Sequence, residues 1–274
     1  ITNGCTSSSR FPVTVTMLPA PAVPGALTPD AVRCVGTPFN ISVAAPTPGI
    51  QYDWFLIPAG GVAFTSGVTA TVTHFSAAPI TYYVEAVNTA TGCRSLAPRA
   101  QVVVAANPIP GQPTVNNTSV CYNTAATLNA TGPGGTYNWY DDPARTILVA
   151  SNTATYVTPN LTANHTYYVE AVIAGCSTAL GNLRAVTVTV RPILNATYTS
   201  TDVTGCAGSC NGNITFAPPN NGIGPYRYSI NGGGTFQVSP IFNNLCPGTY
   251  DLVVRDNGGP TPCQNIVANG VVIN

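Results

Sequence analysis

The strongest constraint on this chain is an internal duplication. Residues Thr81–Val87 read Thr-Tyr-Tyr-Val-Glu-Ala-Val, and the same seven residues return at Thr166–Val172. An Asp-Trp pair ending at Trp54 and an Asn-Trp pair ending at Trp139 lie at matching distances before the two copies. Seven consecutive identities are very improbable by chance, so the chain contains at least two tandem copies of one structural unit.

Period-two patterning predicts β-strands in each repeat. After Tyr82, Tyr167 and Tyr250, apolar residues alternate with polar ones, which is the pattern of a strand with one buried face, and Glu85 and Glu170 fall on the other face. A leucine, a turn and a Thr-Tyr pair resemble the tyrosine corner of Ig-like sandwiches, so these three tyrosines are expected to be structural tyrosine corners. Short strands and Gly/Pro turns predict an all-β chain of tandem Ig-like or fibronectin-like β-sandwich domains, disulfide-bound, in an extended array.

The repeats divide the chain into four segments. In both copies a Gly-Cys pair precedes an arginine and a valine-rich strand, and residues 4–15 show the same order. We therefore interpret residues 1–18 as the C-terminal strand of a truncated preceding Ig-like domain, so that the chain would be a slice of a longer protein. Residues 19–106 and 107–191 are predicted to be Ig-like domains, and residues 192–274 a divergent third β-sandwich.

The nine cysteines indicate an oxidising, extracellular compartment. Each repeat has one cysteine near its start and one shortly after its Tyr strand, at similar separations in the three repeats. This analogy predicts the bridges Cys34–Cys93, Cys121–Cys176 and Cys206–Cys263, with Cys210–Cys246 as an extra pair and Cys5 unpaired in this slice. A zinc site formed by Cys206, Cys210, Cys246 and Cys263 is the alternative, although the spacing of its second pair is too wide for a zinc knuckle.

Composition excludes several classes of function. Charged residues make up 7% of the chain, the net charge is zero and there is no lysine, so we expect neither nucleic-acid binding nor membrane insertion. The only histidines are His74 and His165, which lie at non-equivalent positions without a nucleophile or carboxylate pair beside them in sequence. We therefore predict no enzymatic activity, no catalytic residues and no cofactor.

Weaker candidate sites remain open. The acidic clusters Asp141-Asp142 and Asp251 with Asp256-Asn257 are interpreted by default as Asx-type turns, with calcium binding as the alternative. Exposed tyrosines could contact a glycan or a protein, and the candidates are Tyr140, Tyr168, Tyr226 and Tyr228. Glycosylation sequons occur at several asparagines and matter only if the host modifies them; they include Asn40, Asn129, Asn160 and Asn213.

Residues 206–263 resemble a known repeat. The motifs are Cys206-Ala-Gly-Ser-Cys210, Gly224-Pro-Tyr-Arg-Tyr-Ser229, Asn243-Asn-Leu-Cys-Pro-Gly-Thr-Tyr250 and Val254-Arg-Asp-Asn-Gly258. They are similar to the SprB repeat, which occurs in the giant gliding-motility adhesin of Bacteroidota and in related surface proteins. Residues 137–142 and 166–176 resemble the Ig-like domains that accompany such repeats in proteins exported by the type IX secretion system.

The resemblance implies a long extracellular protein at the cell surface, attached to the outer membrane or released. Our first hypothesis is a non-enzymatic stalk of a bacterial adhesin that serves adhesion or gliding, with neighbouring repeats of the same polypeptide as its partners. The second is a subunit of a self-assembling filament, tube or hook, which would make the chain a homo-oligomer. The third is an accessory glycan-binding module of an exported enzyme, and a surface glycan or protein ligand is possible in each case.

Overall fold

The computed structural model describes residues 9–206, 208–259 and 261–274. It contains 21 β-strands and one short 3-10 helix, η1 (Leu180–Asn182), so the predicted all-β class is confirmed. The chain forms two compact units. The first takes in the residues up to Ile109 together with Ala174–Cys176, and the second consists of Pro110–Ile173 and Ser177–Asn274.

The first unit contains a β-sandwich. Its strands are β1 (Leu27–Pro29), β2 (Pro38–Val43), β3 (Ile50–Phe55), β4 (Thr65–Ser66), β5 (Thr69–Thr73), β6 (Ile80–Asn88) and β7 (Ala100–Val104). One sheet has the order β1-β2-β5 and the other β4-β3-β6-β7, and all neighbours are antiparallel. Alternate residues of the two sheets meet in one core, where Ile41, Trp54 and Val84 are completely buried.

The second unit begins with another sandwich of the same kind. Its strands are β8 (Thr118–Cys121), β9 (Thr127–Asn129), β10 (Thr136–Tyr140), β11 (Leu148–Ala150), β12 (Thr155–Val157), β13 (His165–Ile173), β14 (Cys176–Ser177) and β15 (Arg184–Arg191). The larger sheet has the order β11-β10-β13-β15-β8 with β14 beside β13, and β12 pairs with β9 in the smaller one. Strand β8 lies parallel to β15, which brings Cys121 beside Arg191.

The same unit continues into a third sandwich. Its strands are β16 (Tyr198–Thr201), β17 (Gly212–Phe216), β18 (Arg227–Ser229), β19 (Ile241–Leu245), β20 (Gly248–Arg255) and β21 (Gln264–Ile273). The sheets have the orders β16-β17-β19 and β18-β20-β21. Their core includes Leu194, Ile214 and Leu252, so the third core begins only three residues after β15 ends.

Two tryptophans hold equivalent places in the first two sandwiches. Trp54 and Trp139 are both completely buried. Their indole Nε1 atoms donate to the carbonyl oxygens of Gly67 at 2.9 Å and Thr153 at 3.0 Å. A buried indole N–H without an acceptor would cost free energy, so each tryptophan fixes the loop that supplies its carbonyl.

The sequence prediction of three tyrosine corners is wrong for two of them. Tyr250 has the expected geometry, since its hydroxyl donates to the carbonyl of Cys246, four residues upstream, at 2.9 Å. The hydroxyl of Tyr82 instead lies 2.9 Å from Nε2 of His74. The ring of Tyr167 packs edge to face against that of Tyr156, with 5.2 Å between the ring centroids. Both rings are almost fully buried, where side-chain partners replace the backbone carbonyl.

Candidate functional site

The disulfides do not close within single repeats. The structure contains the bridges Cys34–Cys176, Cys121–Cys263 and Cys210–Cys246. The predicted pairs Cys34–Cys93, Cys121–Cys176 and Cys206–Cys263 are therefore wrong, whereas Cys210–Cys246 is present. Each of the first two bridges spans 142 positions and joins the first cysteine of one repeat to the second cysteine of the next.

Strand length explains why the predicted pairs cannot form. The backbone of Cys34 forms an isolated β-bridge with Asn107, which lies just beyond the end of β7. The end of β7 lies beside the start of β6, so Cys34 is at that end of the sandwich. Cys93 follows β6 at its other end. Nine residues of strand separate these ends by about 30 Å, at roughly 3.3 Å per residue. A disulfide needs Cα atoms about 4.4 to 6.8 Å apart, so a bridge within the repeat is excluded. The same holds for Cys121 and Cys176 at opposite ends of β13.

The residues around Cys34–Cys176 form what we call the first joint. The backbone N–H of Val35 donates to the carbonyl of Asn107 at 2.9 Å. The side-chain amide of Asn107 donates to the carbonyl of Ala174 at 3.2 Å. Gly175 has φ +78°, and a Cβ atom there would lie 2.9 Å from the side chain of Val32. Glycine is therefore required both by the turn and by the close approach.

The residues around Cys121–Cys263 form the second joint, which is built on a buried ion pair. Arg191 ends β15, and its Nη1 lies 3.2 Å from Oδ2 of Asp256. The Arg191 side chain is 7% exposed and the Asp256 side chain 0%. Arg191 also donates to the carbonyls of Gly258 and Thr261. Asp256 in turn accepts from the backbone N–H of Cys263 at 2.7 Å, so the ion pair fixes the cysteine directly.

The two joints share one geometry. Asn107 and Arg191 each follow or end the last strand of a repeat and pair in parallel with the first cysteine of that repeat. Each side chain donates to the main-chain carbonyl two residues before the partner cysteine, Ala174 in one case and Thr261 in the other. The sequence analysis missed both residues, although their equivalent positions at the ends of the Val-rich strands were a usable signal.

Two thiols of the described chain are not oxidised. Cys93 is half-buried in the turn after β6, and Cys206 is exposed in the loop after β16. Cys5, which the sequence analysis left unpaired, lies outside the described residues. The zinc alternative fails because Cys210, Cys246 and Cys263 are all in disulfides.

A comparison with known families identifies the repeats. The family described as Ig-like domain CHU_C associated matches residues 21–108 and 110–192. These ranges cover more than half of the chain. The chain belongs to this family of Ig-like domains.

Two solved structures that are similar to this chain come from other proteins. The fibronectin(III)-like modules of Clostridium thermocellum CbhA are 18% identical, with 61% of this chain and 95% of that chain covered at a TM-score of 0.37. The FN1–FN3 domains of chicken CNTN1 are 14% identical, with 90% and 99% covered at a TM-score of 0.31. Among curated protein sequences, none matches this chain significantly. No helix of the described residues is both long enough and apolar enough to cross a membrane.

The first Ig-like domain carries a charged cluster that sequence reasoning did not foresee. Glu85 lies on the face of β6 opposite the core, yet it is only 8% exposed because Arg94 and Arg99 cover it. Nε of Arg99 lies 2.8 Å from Glu85 Oε2, and Nη1 of Arg94 lies 3.1 Å from Asp53 Oδ2. These groups line a surface pocket of about 530 Å³, in which two carboxylates face two guanidinium groups.

The protonation states of this cluster follow from its partners. Burial alone would raise the pKa of Asp53, but hydrogen bonds from Ser66, Gln51 and Arg94 hold the pKa below its ordinary value. Burial likewise opposes ionisation of Glu85, while hydrogen bonds from Arg94 and Arg99 lower its pKa. Both carboxylates are therefore ionised and paired at neutral pH, which stabilises the domain and leaves neither suited to accept a proton as a general base.

In the second Ig-like domain, the equivalent glutamate has different hydrogen-bond and ion-pair partners. Glu170 is 2% exposed and accepts from the hydroxyl of Tyr140 at 2.8 Å and from the amide of Asn138 at 3.0 Å. Arg145 Nη1 lies 2.9 Å from its other carboxylate oxygen. Burial, and then the hydrogen bond to Glu170, raise the pKa of Tyr140 to about 12. Tyr140 is thus a buried structural residue and not an exposed glycan contact.

The two histidines lie in separate structural contacts. His74 is completely buried beside Phe39 and Tyr82, and burial followed by the nearby Arg33 charge lowers its pKa. His165 is partly exposed and contacts Asp141 through its Nε2. Nε2 of His74 lies 2.9 Å from the hydroxyl of Tyr82, so each ring is held by a neighbouring side chain.

The acidic clusters and the remaining tyrosines are also structural. Asp142 accepts from the backbone N–H groups of Ala144, Thr146 and Ile147, so it organises a turn. Within the described ranges, no three His, Cys, Asp or Glu side chains are grouped to hold a metal. Tyr228 is 6% exposed, whereas Tyr168 and Tyr226 are half-buried. The four tyrosines therefore do not form a common exposed surface.

The sequon asparagines carry cross-strand contacts in several cases. Oδ1 of Asn40 accepts from Thr71 at 2.8 Å, and Oδ1 of Asn129 accepts from Thr155 at 2.7 Å. Asn213 donates to Asn243. Asn160 is exposed in the turn before Leu161. Cross-strand pairing of polar side chains accounts for three of these four asparagines without glycosylation.

Proposed function

We propose that the chain is a non-enzymatic, tension-resisting segment of a secreted bacterial cell-surface protein that serves adhesion or gliding. The observation that carries the proposal is the pair of bridges Cys34–Cys176 and Cys121–Cys263, which close two overlapping loops of equal size. A binding or catalytic domain has no need of a covalent link from each repeat to the next. A stalk under tension does, because peptide chain released by unfolding would otherwise lengthen it.

The disulfide bridges limit how far the segment between Cys34 and Cys263 can be extended. In the reduced chain about 229 residues separate Cys34 from Cys263, which corresponds to roughly 750–820 Å when fully extended. In the oxidised chain the shortest covalent path runs from Cys34 to Cys176, on to Cys210, and through Cys246 to Cys263. That path contains only about 51 residues, or roughly 170–185 Å, and the alternative path back from Cys176 to Cys121 and across to Cys263 contains about 55 residues. The bridges therefore limit extension about four-fold even if every sandwich unfolds.

Single-molecule stretching of the full chain, held at its two termini, tests the proposal. We expect the length released between Cys34 and Cys263 to stay below about 200 Å in oxidising buffer and to rise about four-fold after reduction. The double variant C34S/C176S is the matched control and should raise the limit to about 87 residues, or roughly 290–310 Å. The variant C121S/C263S should leave the limit near about 51 residues, because the bridge Cys210–Cys246 still shortens the path from Cys176 to Cys263. Equal extension in the oxidised and reduced states would overturn the proposed role.

The position of the protein on the cell is tested separately. The residues that resemble SprB repeats and the membership in the Ig-like family support a surface protein, and disulfide-rich domains of this kind are typical of secreted proteins. An antiserum against the folded chain should label intact, unpermeabilised source cells or their culture medium. Labelling that appears only after permeabilisation would contradict a surface or released protein.

A further inference from the structure

Cys93 occupies the place in the first repeat that Cys176 occupies in the second. Gly92 and Gly175 precede the two cysteines with φ angles of +71° and +78°. Two residues later, the hydroxyls of Ser95 and Thr178 accept the backbone N–H of Ala86 at 3.1 Å and Ala171 at 3.0 Å. The turn that presents the cysteine is therefore the same in both repeats.

The surroundings of these two turns differ in one respect. The Cβ position of Gly175 lies 2.9 Å from Val32, which stands two residues before the bridged Cys34. At Gly92, no described atom beyond its chain neighbours comes within 4 Å of the same position. The site that a preceding repeat fills at Gly175 is open at Gly92.

Cys206 occupies the place in the third repeat that Cys34 and Cys121 occupy in the first two. Each of the three cysteines offers its carbonyl to the backbone N–H three residues on, at distances of 3.1, 3.2 and 3.1 Å. The end of the last strand also lies beside the Cys206 segment, since Asn274 accepts from the backbone N–H of Val203 at 2.9 Å, although this bond falls three residues before Cys206 and the bond from Val35 to Asn107 falls one residue after Cys34. Cys206 thus has the same turn as the first-position cysteines of the two joints, near the end of the last strand of its repeat.

We propose that Cys93 and Cys206 are half-cystines that bond this segment to the repeats adjoining it in the polypeptide. The bridges present join the first cysteine of one repeat to the second cysteine of the next, 142 positions later. Cys93 then pairs with a first-position cysteine about 142 positions before it, and Cys206 with a second-position cysteine about 142 positions after it. Each bond forms when two thiols give two electrons and two protons to a disulfide donor such as oxidised glutathione, which becomes two thiols.

This proposal rests on the proposed function for the presence of adjoining repeats, and a fusion protein supplies one. In the fusion, residues 1–274 are followed directly by residues 20–274 of a second copy, which places the second copy's Cys93 142 positions after Cys206. Cys5 is replaced by serine to simplify counting. After oxidative refolding with glutathione, we expect two reactive thiols per molecule, Cys93 of the first copy and Cys206 of the second, instead of four.

The matched variant is C206S in the first copy. If the new bridge exists, removing this cysteine frees its partner, so the thiol count rises from two to three. If the bridge is absent, the same variant lowers the count from four to three. A count of four in the parent fusion, or disulfide-linked multimers on a non-reducing gel, would overturn the proposal. Neither outcome alters the stretching result for the single chain, so failure here is distinguishable from failure of the proposed function.

Discussion

Arg191 is the residue on which the second joint most depends. Its guanidinium reaches Asp256 and two carbonyls from a position that is 7% exposed, while the Asp256 side chain is completely buried. A buried pair of this kind adds little net stability compared with apolar residues, but removing one partner leaves an uncompensated charge. The joint is therefore more sensitive to single substitutions there than any surface ion pair would be.

We expect Asp256→Asn to destabilise the second unit by about 3–5 kcal/mol, because it leaves the Arg191 charge buried without a counterion. Urea unfolding followed by Trp139 fluorescence in a Trp54→Phe background measures this, since these are the two tryptophans of the chain. Asp251→Asn is the control, as Asp251 is exposed and accepts one backbone N–H at 2.8 Å. A loss no larger than that of the control would contradict the importance of the pair.

Acid should weaken the first Ig-like domain. The pKa values of Asp53 and Glu85 lie below their ordinary values of 3.8 and 4.5, so the stability they contribute is complete above about pH 4.5 and is lost as the pH falls further. His74 adds to this acid sensitivity. Because its pKa is lowered in the folded domain, the unfolded chain binds the proton more readily, so stability is lost as the pH falls below about 6.5. The urea midpoint reported by Trp54 in a Trp139→Phe background should fall between pH 7 and pH 3, and less steeply in Glu85→Gln.

At the level of the strands, alternation was sufficient to predict much of the fold. Thr81–Val87 and Thr166–Val172 lie in β6 and β13 as expected, with Tyr82 and Tyr167 in the core. Burial of Glu85 and Glu170 could not be predicted, because the arginines that cover them come from non-equivalent positions in the two domains. The cysteine pairing also failed, since sequence separation gives the size of a closed loop and not the end of a strand at which each cysteine lies.

The turn before the second cysteine should control how readily the first joint closes. Gly175→Ala and Gly92→Ala impose the same left-handed strain of about 1–2 kcal/mol, but only the former brings a Cβ against Val32. In a glutathione redox buffer, we expect Gly175→Ala to disfavour the Cys34–Cys176 bridge about ten-fold or more. Gly92→Ala should leave it unchanged. Equal bridge stability in the two variants would show that Val32 gives way without cost.

For the whole molecule, the disulfide connectivity contributes to the free energy of unfolding by restricting the unfolded chain. A loop of 142 residues lowers the entropy of the unfolded chain by the equivalent of about 5 kcal/mol in the chain-entropy model. Because the two loops overlap, residues 121–176 lie inside both of them. Residues 121–176, and residues 210–246 inside the loop closed by Cys210–Cys246, are thus each enclosed by two loops in the unfolded state.

Trypsin provides a direct map of this pattern, because the chain has nine arginines and no lysine. Under non-reducing conditions we expect peptide 34–94 to be linked to peptide 146–184, and peptide 100–145 to peptide 256–274. Bridges within repeats would instead link 100–145 to 146–184 and leave 34–94 closed on itself. Mass spectrometry before and after reduction distinguishes the two patterns, and observing the second would refute the connectivity described above.

Because the two long bridges overlap along the chain, they also keep the segment covalently connected when the backbone is cut. A single protease cut anywhere between Cys34 and Cys263 leaves both sides attached through at least one cystine. Complete severance needs three cuts, one before Cys121, one between Cys121 and Cys176, and one after Cys176 that lies outside the loop closed by Cys210–Cys246. With each cystine confined to its own repeat, one cut in a linker would have been enough. A segment with the overlapping connectivity therefore remains covalently continuous after one or two backbone cuts.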